Sequence, residues 1–337
     1  MPAECQHSAP ALRRQKATGW ADSVAVLHSL ALKSVTVVCP RCRARGFVMS
    51  KWVKGLAVKP LCVYHPNGRE LPQECELTAN DAAEVRSHVS LSKQDLRRLL
   101  RYSTAYVLFS GGLDSLCTLA YLHEVGREEG ADVTALHIDT TAGFPEVTKY
   151  VRSVCRRLRI PLRVVRPKID YFEAAKKWGI PSHNARWCCH QLKVRPVRDF
   201  LARQPSPKVV YDGIRAAESF QRSQYLPVWH HPAFDCLSVS PILGWSDDEV
   251  RAYVEAKGLP ENPAKSFGCS AECWCGAYKK RTDFEKLLEV HPDIFEKLVA
   301  VEKAQKGRYT FIYENGRRVP LSSLLRRRAA QPETRRR

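Results

Sequence analysis

The sequence predicts an α/β protein: an open parallel sheet with helices on both faces, preceded by a small cysteine-bearing module of short strands. Three observations predict it. From residue 104 onward, short apolar runs alternate with amphipathic stretches, and such alternation builds a parallel sheet covered by helices. One junction, Ser110-Gly111-Gly112-Leu113-Asp114-Ser115, joins an apolar strand to a helix through two adjacent glycines. The 13 cysteines are placed unevenly: several fall between 39 and 75, and five stand at 188, 189, 269, 273 and 275.

The elements follow in order. Residues 1–35 read as a polar arm and an amphipathic helix, Trp20 to Leu32. Residues 36–90 hold the cysteine module, with strands Val35 to Val38, Gly46 to Val53 and Leu61 to Tyr64. Residues 91–285 form the main domain. It opens with a basic helix over 93–102, where Ser92 and Asp95 spell a capping box and Leu96, Leu99 and Leu100 mark the buried face. Strand 106–109 leads to helix 114–128, and strand Val133 to Ile138 leads to helix Glu146 to Leu158. Strand Leu162 to Val165 then leads to helix Tyr171 to Trp178, and strand Val209 to Asp212 follows. Residues 286–337 are a helical extension with a basic tail, Arg326 to Arg328 and Arg335 to Arg337.

Composition narrows the function classes. An apolar fraction of 44% over 337 residues supports a real core. No apolar run is long enough to span a bilayer, and the N-terminus lacks the apolar stretch of a secretory signal. A cytoplasmic location is therefore expected. So many cysteines in a cytosolic chain argue for metal rather than for disulfides. A net charge of +19 favours polyanions, with tRNA or another nucleic acid as the candidate partner.

The SGGLDS turn is a phosphate cradle. Glycines let backbone N–H groups approach an anion, and the following helix adds its N-terminal partial positive charge. Ser110 and Ser115 add hydroxyl donors. It is not the P-loop of nucleoside triphosphatases, because the glycines are adjacent and no lysine follows. Ligands of parallel sheets sit beyond the carboxyl ends of the strands. This turn, Asp139 and Gly213 all fall there.

Cys39-Pro-Arg-Cys42 reads as a metal knuckle: two thiols on a tight turn that chelate one ion. Cys62-Val-Tyr-His65 supplies a second pair, and Cys75 is an alternate fourth ligand. Soft donor sets of this kind bind structural Zn²⁺, and the module resembles a zinc ribbon. The adjacent Cys188 and Cys189, with Cys269, Cys273 and Cys275 far downstream, make a second set. Thiol groups with such uneven spacing suit an iron–sulfur cluster as well as zinc.

The SGGLDS spelling resembles the SGGxDS motif of the PP-loop (adenine-nucleotide α-hydrolase) superfamily. Further blocks are similar to those of the phosphoadenosine phosphosulfate (PAPS) reductase family within it. They are His137-Ile-Asp139-Thr-Thr-Ala-Gly143-Phe144-Pro145-Glu146, then Cys188-Cys189-His190-Gln191-Leu192-Lys193-Val194-Arg195-Pro196. The last runs from Gly213-Ile-Arg215-Ala-Ala-Glu218-Ser219 with Arg222, through Pro241-Ile242, Trp245 and Asn262-Pro263, to the final cysteines. The resemblance covers residues 104 to 285.

It implies a nucleotide cradle of Ser110, Gly111, Gly112, Leu113, Asp114 and Ser115, with Asp114 placing Mg²⁺ or pyrophosphate. Asp139 and Phe144 would line the nucleotide site. Lys193, Arg215 and Arg222 would hold the transferred anion, where Arg suits bidentate contact and Lys a point charge. It also implies a [4Fe-4S] cluster. Cys188, Cys269, Cys273 and Cys275 are the expected ligands, with Cys189 as alternate ligand or free, reactive thiol. Two departures stand out. Five thiols serve a site that needs four, and the reductases' C-terminal nucleophilic cysteine has no counterpart in residues 276–337.

The resulting expectation is a PP-loop enzyme using ATP to transfer sulfur to a nucleic-acid or similar acceptor, served by a sulfur or electron donor protein. The alternatives are an adenylylsulfate or phosphoadenylylsulfate reductase of sulfate assimilation, taking a sulfated adenylyl nucleotide, and a non-catalytic nucleic-acid-binding protein.

Overall fold

The computed structural model describes residues 91–219, 222, 225, 227–267 and 273–330, together with four short strands nearer the N-terminus. Those strands, β1 (Val37–Val38), β2 (Arg45–Met49), β3 (Leu61–Tyr64) and β4 (Gln73–Glu76), form an antiparallel sheet in sequence order. Cys62 stands opposite Cys75 in its register. The expected helix Trp20 to Leu32, the ligand candidates Cys39, Cys42 and His65, and Cys269 lie outside the described residues.

The main sheet has six strands in the order β7-β6-β5-β8-β10-β9. β5 (Thr104–Leu108), β6 (Val133–Ile138), β7 (Leu162–Val165), β8 (Lys208–Tyr211) and β10 (Cys236–Val239) run parallel. β9 (Val228–His231) closes one edge antiparallel to β10. The predicted fold class is therefore the observed one, an open and mostly parallel sheet. The β9–β10 pair is an addition, since the polar run His230-His231-Pro232 hides it from an apolar-period reading.

Nine helices appear among the described residues once the helix through 187–201 is taken as one. They are α1 (Lys93–Tyr102), α2 (Leu113–Glu129), α3 (Pro145–Leu158), α4 (Tyr171–Trp178), α5 (its last part, Arg195–Leu201), α6 (Asp247–Ala256), α7 (Arg281–Val290), α8 (Pro292–Ala304) and α9 (Ser322–Ala330). None is long and apolar enough to cross a membrane. Side chains alternate across a strand, and here both faces are covered. Ala105, Val107, Ala135, Val209 and Tyr211 pack into one cluster with Leu116 and Leu119 of α2 and Val147 and Val151 of α3. Tyr106, Leu136 and Val210 pack on the other face with Val197 and Leu201 of α5. At the start of α1, the Asp95 N–H donates to the Ser92 hydroxyl at 3.2 Å, and the Ser92 N–H donates back to Asp95 at 3.0 Å.

The C-terminal extension differs from its all-helical expectation. β11 (Ile312–Glu314) and β12 (Arg317–Val319) form a hairpin. Asn315 and Gly316 turn it with φ of 49° and 74°, the left-handed pair that a two-residue hairpin favours. α7 runs through position 285. The buried Glu302 carboxylate latches the hairpin. It accepts from the Thr310 hydroxyl, the Phe311 N–H at 3.3 Å and the Leu321 N–H at 2.7 Å.

Candidate functional site

The loop between β5 and α2 is shaped by its neighbours. Gly111 adopts φ +90°, and a Cβ there would lie 3.0 Å from Val147 Cγ1. The Asn262 side-chain amide donates to the Gly111 carbonyl at 2.9 Å, holding the turn from outside. Gly112 caps α2 with no side-chain hydrogen bond, so the first-turn N–H groups keep the anion-binding character of a helix N-terminus. Ser110 and Ser115 touch through their hydroxyls at 3.1 Å. Leu113 begins α2 and leans its side chain on the core.

Gly213 is the second indispensable glycine. A Cβ there would stand 2.9 Å from both Asp114 C and Ser115 N, so the β8 loop presses on the start of α2. Just before it, buried Asp212 accepts from Ser240 at 2.7 Å, Ser238 at 3.1 Å and the Ile214 N–H at 3.1 Å. Burial pushes its carboxyl above the usual range while these donors pull it back.

Arg215 is nearly fully buried. Its Nε donates to Asp114 Oδ1 at 2.7 Å, Nη2 to Asp247 at 2.6 Å and Nη1 to the Trp245 carbonyl at 3.3 Å. Three of its five N–H groups are thus engaged in fixing Asp114 and α6, a positioning role beside the expected grip on the transferred anion. Burial raises the Asp114 carboxyl, and Arg215 opposes that shift. Arg222 pairs with Glu218, which also accepts from the Arg215 backbone N–H at 3.0 Å.

Asp139, just past β6, is held by Arg166 through Nε at 2.9 Å and Nη2 at 2.6 Å. Phe144 is buried rather than lining a surface. Its ring stacks on Trp274 at 5.4 Å and meets His291 at 4.3 Å and Phe267 at 5.7 Å. It therefore supports the 139–144 loop from within the core.

The thiols gather below this loop. Trp187–Cys189 begins a helix that passes through a π-helical stretch, His190–Val194, into α5. Pro196 explains the widening: it has no N–H to give the Leu192 carbonyl, and its ring crowds that carbonyl. Cys188 is buried and hydrogen-bonds with both Cys189 and Cys275. Cys273 meets Cys275 Sγ to Sγ at 3.6 Å. The two segments that carry the downstream cysteines thus face each other, as expected. Contact with Cys188 and the nearby Lys193 draw the Cys189 thiol down to about 6. Cys275 is held low by Cys188 and Cys273, whose own thiols are held up. Burial, the main cause in each case, pushes Cys117 up to about 12, and Cys155 and Cys236 up to about 11, so those three are inert packing residues.

Trp274 clamps the thiol segment to the nucleotide half: its backbone N–H donates to the Ala142 carbonyl at 2.6 Å. The Tyr171 hydroxyl donates to the Cys275 carbonyl at 3.0 Å. Arg166, Asn262, Trp274 and Asp212 are the site residues that sequence reasoning missed. Only the Asn262-Pro263 pair carried a legible signal. Among the described residues, no group of three or more His, Cys, Asp or Glu is arranged to hold a metal ion. The donor set is nonetheless the soft, thiol-rich kind that iron–sulfur clusters take.

Comparison with known proteins agrees with this geometry. Residues 104–270 match the family model of the phosphoadenosine phosphosulfate reductase domain. An uncharacterized protein of Methanocaldococcus jannaschii is 29% identical over 194 residues, which cover 57% of this chain and 40% of that protein. The chain thus spans less than half the length of that relative. An adenosine 5′-phosphosulfate reductase of Bacillus cereus is 27% identical over 194 residues, covering 54% of this chain and 80% of the reductase. Among solved structures, a phosphoadenylyl-sulfate reductase of Candida auris in complex with phosphate aligns at TM-score 0.44 and 22% identity, over 59% of this chain and 97% of that one. The SGGLDS loop, Asp139, Arg215 and Asn262 accordingly lie within residues 104–270, the stretch of this chain that matches the phosphoadenosine phosphosulfate reductase domain model.

Proposed function

We propose that this protein binds ATP at the SGGLDS loop and transfers sulfur to a nucleic-acid or similar acceptor. The observation that carries the reading is the joining of a phosphate cradle to a group of four thiols through one clamp, the Trp274 backbone N–H to Ala142 O at 2.6 Å. In this chemistry an acceptor oxygen attacks the α-phosphate of ATP, the α–β bond breaks, and pyrophosphate leaves. Hydrosulfide from a sulfur donor then attacks the activated carbon, and AMP departs with the oxygen. The first-turn N–H groups of α2, with Gly112 as cap, hold the phosphates. Asp114, oriented by Arg215, keeps its second carboxylate oxygen for Mg²⁺. Lys193 and Arg222 supply positive charge toward the transferred group.

In this reading Cys188, Cys273 and Cys275, with Cys269, hold a [4Fe-4S] cluster, and Cys189 stays as alternate ligand or free thiol. Such a cluster supplies a Lewis-acidic or electron-transferring centre next to the acceptor. Cys39, Cys42, Cys62 and His65 would hold a structural Zn²⁺, with Cys75, opposite Cys62 in the strand register, as the alternate ligand. Iron and zinc contents of anaerobically purified protein test both sites.

A second reading is reduction of adenylylsulfate or its 3′-phosphorylated form. It is supported by the 27% identity to an adenosine 5′-phosphosulfate reductase across 80% of that enzyme. Weighing against it, residues 276–337 offer no thiol to attack a sulfate sulfur. Anaerobic protein incubated with ATP or with adenylylsulfate separates the two. Pyrophosphate formed only when RNA or DNA is added, with AMP released once hydrosulfide is supplied as well, supports transfer. Sulfite from the sulfonucleotide with ATP untouched overturns it.

A further inference from the structure

Three half-exposed aromatic rings surround the thiol segment on its outer side. Trp178 is 54% exposed, Tyr278 58% and Tyr309 51%. Direct contacts tie them to the cysteines. Trp178 sets its edge against Trp187 at 5.1 Å, immediately before Cys188. The Trp187 indole N–H donates to the Gly179 carbonyl at 3.1 Å. The Tyr309 ring lies over Gly179, 3.6 Å from where a Cβ would stand. Tyr278, three residues past Cys275, accepts at its hydroxyl from Arg186 Nη1 at 2.6 Å. Its ring also lies 5.9 Å from that guanidinium carbon and meets His183 edge-on at 5.4 Å.

The charge around these rings is mostly positive. The segments 174–198, 276–282 and 303–313 hold twelve Lys or Arg, of which Lys176, Arg198 and Arg281 pair with acidic residues just outside them. Lys177, Arg186, Lys280 and Arg308 are exposed there. An apolar protein partner would not require such charge, and an acidic peptide would not require exposed rings. Bare aromatic faces within a positive field suit a chain that offers both flat bases and phosphates. A duplex hides its base faces, whereas folded RNA keeps unpaired bases in loops and bulges.

We infer that Trp178, Tyr278 and Tyr309, framed by Lys177, Arg186 and Arg308, form a stacking platform for the unpaired bases of an RNA loop beside the thiols. This rests on the sulfur-transfer reading for its purpose, and it supplies that reading with a substrate class.

The test uses the full chain and a fluorescein-labelled RNA stem–loop, followed by anisotropy without ATP. Its controls are the fully paired RNA duplex and the same loop made of DNA. Tight binding of the RNA loop over both controls is expected. Trp178→Ala, Tyr278→Ala and Tyr309→Ala each weaken it about tenfold, with unchanged circular dichroism and unchanged ATP affinity. Trp178→Phe restores most of the loss, because it keeps a ring. Equal binding of the duplex, equal binding of the DNA loop, or ring variants that bind as the parent does would each overturn the platform. Because RNA binding is read without nucleotide, its failure is separable from a failure of ATP turnover. Loss of turnover with loop binding intact sinks only the transfer reading.

Discussion

The nucleotide half and the thiol half of this molecule are built by opposite strategies. The phosphate cradle is mostly local: one strand, six residues and one helix, with Gly111 making room for the Val147 and Asn262 side chains and only Gly213 reaching in from afar to let backbone approach backbone. The thiol group is assembled from afar. The 187–194 segment, the 273–278 segment and the C-terminal helices and hairpin meet through Trp187, Trp274, Phe284 and Phe311. A local site tolerates changes elsewhere but not within itself. An assembled site depends on every contact that brings its parts together.

Trp274→Ala should have the largest effect. It removes a fully buried ring that stacks on Phe144 and packs on Phe284, costing about 3–5 kcal/mol. Urea unfolding reads that loss. A thiol-labelling reagent should find Cys188 and Cys275 exposed, while nucleotide affinity changes far less. If affinity falls as much as stability, the two halves are not separable.

Gly213→Ala comes next. The added methyl meets the backbone of Asp114 and Ser115, and overpacking of this kind costs about 1–3 kcal/mol. Calorimetry should show nucleotide binding weakened at least about tenfold with thiol labelling unchanged. Equal labelling gains in both variants would erase the distinction between local and assembled sites.

His231 gives the smallest effect and lies in neither half. Burial against Trp229 and Phe234 lowers its pKa to about 4, against about 6.5 when unfolded. The folded ring is therefore neutral while the unfolded one gains a proton. Its stabilisation is complete above about pH 6.5 and is lost as pH falls toward 4. His231→Asn should flatten the fall in melting temperature between pH 7 and pH 5. The slope is at most about 1 kcal/mol per pH unit, since the ring is partly exposed. A parallel slope in both proteins would show that groups other than His231 carry it, and not Asp114 or Asp212, whose raised carboxyls act in the opposite direction.

Legibility in the sequence divides along the same line. The β5–loop–α2 unit could be read because its apolar strand, paired glycines and helical period are contiguous. The capping box at Ser92 and Asp95 was legible for the same reason. The β9–β10 pair was not, because its outer strand mixes Trp229 with two histidines. The hairpin at Asn315-Gly316 carried a clear turn signal inside a stretch read as helical. Arg215 shows a different limit. A motif gives the residue type, but only the fold reveals that Asp114 and the exposed Asp247 already engage part of its guanidinium. Trp274 was silent, since one tryptophan between cysteines says nothing about the distant carbonyl it will bind.

Gly276 carries a consequence for the protein's relatives. It sits at φ +89°, and a Cβ there would lie 2.6 Å from the Phe311 ring. Position 276 neighbours a thiol, whereas 311 lies just before the hairpin and beyond residues 104–270. A side chain at 276 would be strained by its own backbone and would strike the Phe311 ring as well, so a relative that keeps this hairpin seated on the cysteine segment is expected to keep glycine there.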